Sequence, residues 1–180
     1  MLDLGASFVA SVARDPDATA IVDGGLRMTY AQWYARISSV VAAFDALGLE
    51  SGDHIVTVLQ NRWEAATIHW ACQFAGIIIT PINWRANADE LDFCTENAEA
   101  EAVIFQQVSA EAVERSKHAR GVRRIAVGEV DKANDGAVRF DEMSDLGAPD
   151  AIPRADASAW VRFTSTRSSG ISSHWLRSTL

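Results

Sequence analysis

The chain has 180 residues, of which 48% are hydrophobic and 22% charged, so it is long enough to bury the core of one globular domain. Its formal net charge of -8 argues against a nucleic-acid partner, because phosphate backbones select clustered Lys and Arg. Apolar runs such as 74–82 are far shorter than the roughly 20 residues of a membrane span, and the N-terminus does not read as a secretory signal. We therefore expect a cytoplasmic protein that binds neither nucleic acid nor membrane.

The few cysteines and histidines do not form a recognisable site. Cys72 and Cys94 are too few for a disulfide framework, and each falls in a helical pattern, so we interpret both as reduced core residues. The histidines, which stand alone without the spacing of metal ligands, are His54, His69, His118 and His174. The sequence predicts no metal site.

The N-terminal quarter of the chain predicts a helix, a β-hairpin and a second helix. Apolar residues recur at helical spacing before Asp15, and a proline then ends the segment. Residues 19–22 and 26–28 flank two glycines, which is typical of a hairpin. Thr29 with Gln32 then forms a capping box that starts the second helix.

A buried strand and another capped helix come next. Gly48 ends the second helix, and residues 54–59 form an almost continuous apolar run, which is typical of a strand buried on both faces of a parallel sheet. Asn61 with Glu64 is interpreted as another capping pair, and Gly76 as the end of that helix.

The same alternation continues along the chain. Asn87 with Glu90 forms a further capping pair and starts a helix. The remaining predicted elements are strands at 77–79, 102–105, 124–127, 138–140 and 160–163, and a helix at 110–119. Strands and helices that alternate at this spacing predict an α/β fold, a doubly wound and mainly parallel sheet flanked by helices.

Three groups of side chains have both a structural and a functional interpretation. Residues 83–85, Asn-Trp-Arg, follow a predicted strand and either line a cleft at the carboxyl end of the sheet or form a loop with a partly packed Trp. The aromatic residues at 63, 70 and 74 share one predicted helix and are interpreted as core. The acids at 89, 90 and 92 favour the positive N-terminus of their own helix rather than acid–base catalysis.

The order of these pieces resembles the start of the adenylate-forming enzymes, which include acyl-CoA synthetases, luciferases and the adenylation domains of peptide synthetases. The pieces are Met28-Thr29-Tyr30, Ala46 to Leu49, Ser51-Gly52-Asp53, Asn61 to Glu64, Gly76 through Pro81-Ile82-Asn83, and Glu90-Leu91. The resemblance covers 15–165 and is closest to the stand-alone acyl- or aryl-acid CoA ligases. It implies that the sheet is the first N-terminal subdomain of such an enzyme.

The resemblance also implies a reaction and its cofactors. Enzymes of this family attack ATP with a carboxylate to form an acyl-adenylate and then pass the acyl group to coenzyme A, with Mg²⁺ at the phosphates. In the family, a loop rich in Ser, Thr and Gly contacts the ATP phosphates, and Thr164 and Ser165 match its start. After Ser165 the paired glycines are missing and no Lys follows, so we expect an incomplete phosphate cradle.

We interpret 1–165 as the N-terminal subdomain and 166–180, which has five Ser and no acid, as a flexible tail that departs from the family pattern. No residue is assigned as catalytic, and ATP, Mg²⁺ and CoA are not expected to bind tightly. Three hypotheses follow. The chain is a truncated acyl-CoA synthetase that is inactive alone, a module that self-associates or docks with a separately encoded remainder through exposed apolar surface, or a small stand-alone nucleotide binder.

Overall fold

The structure, a computed structural model, describes residues 4–130 and 136–145. The helices in these ranges are α1 (Leu4–Arg14), α2 (Tyr30–Ala46), α3 (Trp63–Ala75), α4 (Ala88–Asn97), α5 (Ala110–Arg115) and α6 (Lys117–Gly121). The strands are β1 (Thr19–Asp23), β2 (Leu26–Thr29), β3 (His54–Val58), β4 (Ile78–Pro81), β5 (Ala102–Gln106), β6 (Arg123–Val127) and β7 (Val138–Arg139). Short 3₁₀ turns follow β5 at Gln107–Ser109 and β7 at Phe140–Asp145. The strand predicted at 160–163 and the tail at 166–180 lie outside the described residues.

Five strands form one parallel sheet in the order β4-β3-β5-β6-β7. All five residues of β5 are buried, as expected for a strand that has neighbours on both sides and helices on both faces. β1 and β2 pair antiparallel in a separate hairpin. The predicted α/β fold with a parallel, helix-flanked sheet is confirmed.

The sheet separates two apolar clusters, because successive strand residues point to opposite faces. Ile55, Ile104 and Ile125 pack on one face with residues of α2, α3 and the hairpin. Val56 and Phe105 pack on the other face with residues of α4, α5 and α6. Helices therefore cover both faces of a doubly wound sheet.

Most of the predicted helix ends are confirmed. Thr29 accepts a hydrogen bond from the N–H of Gln32, and the Gln32 side chain accepts one from the N–H of Thr29. Asn87 and Glu90 make the same reciprocal pair at α4. At the end of α3, Gly76 has φ of 72°, a left-handed conformation that favours glycine.

The predicted cap of α3 is wrong. The N-cap residue is Arg62, not Asn61, and its own side chain makes no capping hydrogen bond. Instead, the N–H of Trp63 donates to Oδ2 of Asp23 at 3.1 Å, across a separation of 40 residues. The carboxylate thus fills the role of a cap at the positive end of the helix, and it ties the hairpin to α3.

The single helix predicted at 110–119 is also wrong. The chain leaves helical geometry at Ser116, whose φ of -73° and ψ of 124° are extended, and α6 begins at the next residue. The Ser116 hydroxyl accepts from the N–H of Ala119 at 3.0 Å and donates to Oδ1 of Asp92 at 2.5 Å. The same Asp92 oxygen accepts from the N–H of His118 at 2.8 Å. A carboxylate from α4 therefore holds the break in place.

In the part of the chain that the structure describes, no helix is both long enough and apolar enough to cross a bilayer. Cys72 and Cys94 are both buried thiols, which agrees with their assignment as reduced core residues.

Candidate functional site

The carboxyl ends of the parallel strands share one edge of the sheet. β3 and β5 are neighbours, yet α3 packs on one face of the sheet and α5 on the other. The winding of the chain therefore changes direction between these two strands. Open α/β sheets bind ligands outside the strand ends at such a point, so the loops after β3, β4 and β5 form the candidate site.

A serine closes the crevice between β3 and β5. The hydroxyl of Ser109 lies 2.8 Å from the carbonyl oxygen of Val58 and 3.0 Å from that of Gln106, and it accepts from the N–H of Gln106 at 3.2 Å. Ser109 is only 2% exposed. The hydroxyl therefore joins the ends of the two strands.

One open space, here called the Arg85 cleft, has a volume of about 430 Å³ and lies between the loop before α4 and the start of α5. The Arg85 guanidinium stacks on the ring of Trp84 at 3.6 Å from its centroid, a cation–π contact. The N–H of Arg85 donates to Oδ1 of Asn83 at 3.0 Å, which fixes the turn. Val108 and Ala112 supply apolar surface on the α5 side.

The ionic side chains of the Arg85 cleft balance in formal charge. Arg85 and Arg115 face the carboxylates of Asp89 and Glu111 among the lining residues. Arg115 Nη2 lies 2.8 Å from Glu111 Oε1, but both side chains are largely exposed, so the pair adds little to stability. The cleft offers one stacked guanidinium, one aromatic ring and an apolar wall.

A second open space, here called the His69 cleft, has a volume of about 310 Å³ and lies between the ends of β3 and β4 and the first turns of α3. Its polar lining comes from Thr57, Asn61, Arg62 and His69, and its apolar lining includes Leu59, Ile79 and Ile82. Burial lowers the pKa of the His69 imidazole, which favours the neutral form of the ring.

Arg62 is held at the mouth of the His69 cleft by two acids. Its Nε lies 3.6 Å from Oδ2 of Asp23 and 3.7 Å from Oε2 of Glu64. Glu64 is only 9% exposed, so one of these carboxylates is largely removed from water. The two carboxylates lie near a guanidinium that is half exposed to water, so these ion pairs are screened.

The structure places the predicted candidate residues as follows. Residues 83–85 lie at the carboxyl edge and line the Arg85 cleft in part, and Trp84 is half-buried, so both features weighed for them occur together. Trp63, Trp70 and Phe74 pack against the core, which confirms their interpretation. Thr164 and Ser165 lie outside the described residues, and their contact with ATP phosphates stays a prediction.

Asp92 corrects one prediction. Its carboxylate accepts hydrogen bonds from Ser116 and from the N–H of His118, so it supports the N-terminus of α6 rather than that of its own helix. Burial raises the pKa of the Asp92 carboxyl, but these hydrogen bonds and the charge of His118 outweigh it, and the net pKa is lowered. Glu90 does serve its own helix, as a member of the α4 capping box.

Sequence reasoning missed His69, Arg62 and Arg115 as site residues. Arg62 could have been found, because it follows a predicted strand within four residues. His69 and Arg115 lie inside helices, and only the packing of those helices brings them to the strand ends. Within 4–130 and 136–145, no three His, Cys, Asp or Glu side chains gather as a candidate metal site.

The parallel sheet and the two clefts at the ends of its strands define an α/β protein of the open, doubly wound class. Residues 8–166 match the family model described as AMP-binding enzyme. This match covers most of the chain, and the chain belongs to the family of AMP-binding enzymes. The resemblance read from the sequence is confirmed.

Curated relatives carry acid–CoA ligase names. The chain is 30% identical over 132 residues to feruloyl-CoA synthases of Amycolatopsis sp and Streptomyces sp, a match that covers 73% of this chain and 27% of each relative. It is 28% identical over 156 residues to a 3-(7a-methyl-1,5-dioxo-octahydro-1H-inden-4-yl)propanoyl:CoA ligase of Rhodococcus jostii, a match that covers 79% of this chain and 29% of that relative. The chain thus spans less than a third of the length of these relatives.

Solved structures agree in fold. A benzoate CoA ligase from Burkholderia xenovorans LB400 superposes with a TM-score of 0.75 at 19% identity, over 87% of this chain and 31% of that one. The N-terminal domain of FACL13 from Mycobacterium tuberculosis gives 0.72 at 21% identity, over 87% of this chain and 38% of that one. The chain therefore has the fold of the N-terminal part of adenylate-forming CoA ligases.

Proposed function

We propose that this chain forms the N-terminal lobe of an AMP-forming acid–CoA ligase. The parent reaction joins a carboxylic acid to the AMP part of ATP with release of pyrophosphate, and then transfers the acyl group to the thiol of CoA. The observation that carries the proposal is the AMP-binding match over 8–166, together with relatives named as acid–CoA ligases. The parent reaction consumes ATP and CoA, and both cysteines are buried thiols. These two features favour a cytoplasmic location.

The described residues provide a scaffold for this reaction. They hold the strand ends in register, close the crevice through Ser109 and position two clefts beside it. Phosphate contact would come from Thr164 and Ser165, where the sequence lacks paired glycines and a following Lys. We therefore propose that the chain alone does not turn over and does not bind ATP, Mg²⁺ or CoA tightly.

A pyrophosphate-release assay tests this proposal. The purified chain is incubated with ATP, Mg²⁺, CoA and a mixture of aromatic and fatty acids, and a feruloyl-CoA synthase is assayed in parallel as positive control. We expect no release above background from the chain alone. Turnover comparable with the control would overturn the proposed inactivity.

Calorimetric titration with ATP and Mg²⁺ separates the inactive lobe from the stand-alone nucleotide binder. An inactive lobe gives no saturable heat. Saturable binding that Thr164→Ala and Ser165→Ala weaken would favour the nucleotide binder and would show that the loop works in spite of its missing glycines.

The exposed apolar side chains favour a second candidate function, which is docking with a separately encoded remainder of the enzyme. Phe93 is 64% exposed on α4, and Val108 is 52% exposed at the rim of the Arg85 cleft. Such side chains often mark an interface. The tagged chain and a Phe93→Ser control are used to capture proteins from the source organism. The docking function is supported if the captured proteins include a ligase without this lobe and if the mixture releases pyrophosphate. It is refuted if no such ligase is recovered.

A further inference from the structure

Phe8 of α1 inserts into a socket of aromatic rings. It is 5% exposed, and its ring centroid lies 4.6 Å from that of Trp70 and 5.2 Å from that of Trp33. Three further rings complete what is here called the ring socket, namely Tyr30 at 6.3 Å, Tyr34 at 6.2 Å and Phe74 at 5.9 Å. Edge-to-face and tilted pairs at these distances are favourable beyond the area they bury.

The rest of α1 contributes little to its attachment. Of its eleven residues, all of which the structure describes, Phe8 alone is buried. Val12 is half-buried against the same cluster, while Leu4 is 56% and Val9 37% exposed. One side chain therefore provides most of the contact that holds this helix.

The chain just after α1 is anchored independently of the helix. The N–H of Ala31 donates to the carbonyl of Pro16 at 3.0 Å, and the N–H of Tyr30 donates to that of Ala18 at 3.0 Å. These bonds fix the segment that leads into the hairpin. Motion of α1 would therefore pivot near Asp15 and leave the hairpin in place.

The ring socket does not depend on α1 for its shape. Its rings come from α2 and α3, which pack on each other and are cross-linked by a buried hydrogen bond from Trp33 Nε1 to Thr67 Oγ1 at 2.9 Å. Thr67 Oγ1 in turn donates to the carbonyl of Trp63 at 2.8 Å. Neither hydrogen bond involves a residue of α1.

We propose that α1 is a detachable strap that opens as a unit while the sheet stays folded, and that its opening uncovers the ring socket as a pocket for one aromatic side chain. The occupant in the closed state is Phe8 of the same chain. Local opening of this kind is the behaviour of a peripheral segment with few buried contacts.

Hydrogen exchange on the full chain, followed by mass spectrometry at increasing low urea, tests the strap without any mutation. We expect amides of α1 to exchange with a weaker urea dependence than amides of β3 and β5, because detaching one helix exposes much less surface than global unfolding. If α1 amides follow the urea dependence of β5, the strap is part of the global folding unit and the proposal is overturned.

Phe8→Ala supplies the second arm, with Val9→Ala on the exposed side of the same helix as matched control. We expect exchange of α1 in Phe8→Ala to accelerate by about 100-fold or more, with β5 and the labelling rate of Cys72 on α3 unchanged. Equal acceleration in α1 and β5, or none in α1, contradicts the proposal. Phe8→Leu is expected to fall between the two variants, and the urea arm decides the matter if Phe8→Ala does not fold.

Discussion

We expect the Asp23 side chain to stabilise α3 more than the Asn61 side chain does, although the sequence pattern predicts Asn61 as the cap. Asp23 Oδ2 accepts from the N–H of Trp63 at 3.1 Å and lies 3.6 Å from Nε of Arg62. Replacing Asp23 by Ala removes the carboxylate that accepts this hydrogen bond and releases the hairpin from the start of the helix. Replacing Asn61 by Ala removes a side chain that does not cap α3.

The expected magnitude follows from the geometry. A lost cap at a helix N-terminus costs about 0.5–2 kcal/mol, and the charge of the carboxylate places Asp23 in the upper half of that range. The ion pair adds little, because the Arg62 side chain is 55% exposed. We expect Asp23→Ala to lower the free energy of unfolding by about 1.5 kcal/mol, or Tm by about 3–6 °C. Asp23→Asn, which keeps an acceptor, should cost about a third of that.

Urea unfolding followed by far-UV circular dichroism measures these differences, with Asp17→Ala as an exposed control that should stay within about 0.5 kcal/mol of the unmodified chain. Asn61→Ala should match the control. A larger loss for Asn61→Ala than for Asp23→Ala would refute the assignment of Asp23 as the group that caps α3.

Three further outcomes are expected. Ser109→Ala should lower the free energy of unfolding by about 1–3 kcal/mol in urea titrations, since buried backbone groups of Val58 and Gln106 lose a partner. Ser39→Ala, which removes only a solvent-exposed hydrogen bond within α2, should have almost no effect. Burial raises the pKa of the Cys72 thiol, so iodoacetamide at pH 8 should label it only on unfolding, and labelling of the folded chain at a free-thiol rate would contradict its burial. The pKa of Asp92 is lowered in the folded chain, so its contribution to stability is present above the unfolded value of roughly 3.9 and lost as pH falls through the folded value. Urea titrations at pH 7 and pH 3 should therefore show a steeper loss for the unmodified chain than for Asp92→Asn, and equal losses would count against the hydrogen-bonded carboxylate.

Local signals in the sequence were sufficient where the interacting groups are close along the chain. The capping boxes at Thr29 and Asn87 each close within four residues, and the left-handed turn at Gly76 needs only the residue itself. Strands β3 and β5 were predictable because burial on both faces leaves a continuous apolar run. The same runs predicted a parallel sheet, whereas residues 83–85 left a cleft and a packed loop as alternatives.

Two helix boundaries were predicted wrongly because they depend on side chains that are distant in the sequence. The group that serves as cap for α3 comes from a hairpin 40 residues away, and the break between α5 and α6 depends on a carboxylate 24 residues away on α4. A helical pattern between 110 and 119 carries no sign of that carboxylate. Periodicity predicts which faces are apolar, but it does not say which polar atom of another element reaches a helix end.

The sequence by itself determined the class of fold, the order of its elements and the family, because those depend on local periodicity, on caps and on the succession of short motifs along the chain. Only the tertiary structure decided which side chains share a cleft. His69 and Arg62 line one cleft, Arg85 and Arg115 line the other, and Phe8 packs against rings from two other helices. The physical reason is that each of these meetings is set by how elements pack across a sheet, a relation between distant parts of the chain that no local pattern records.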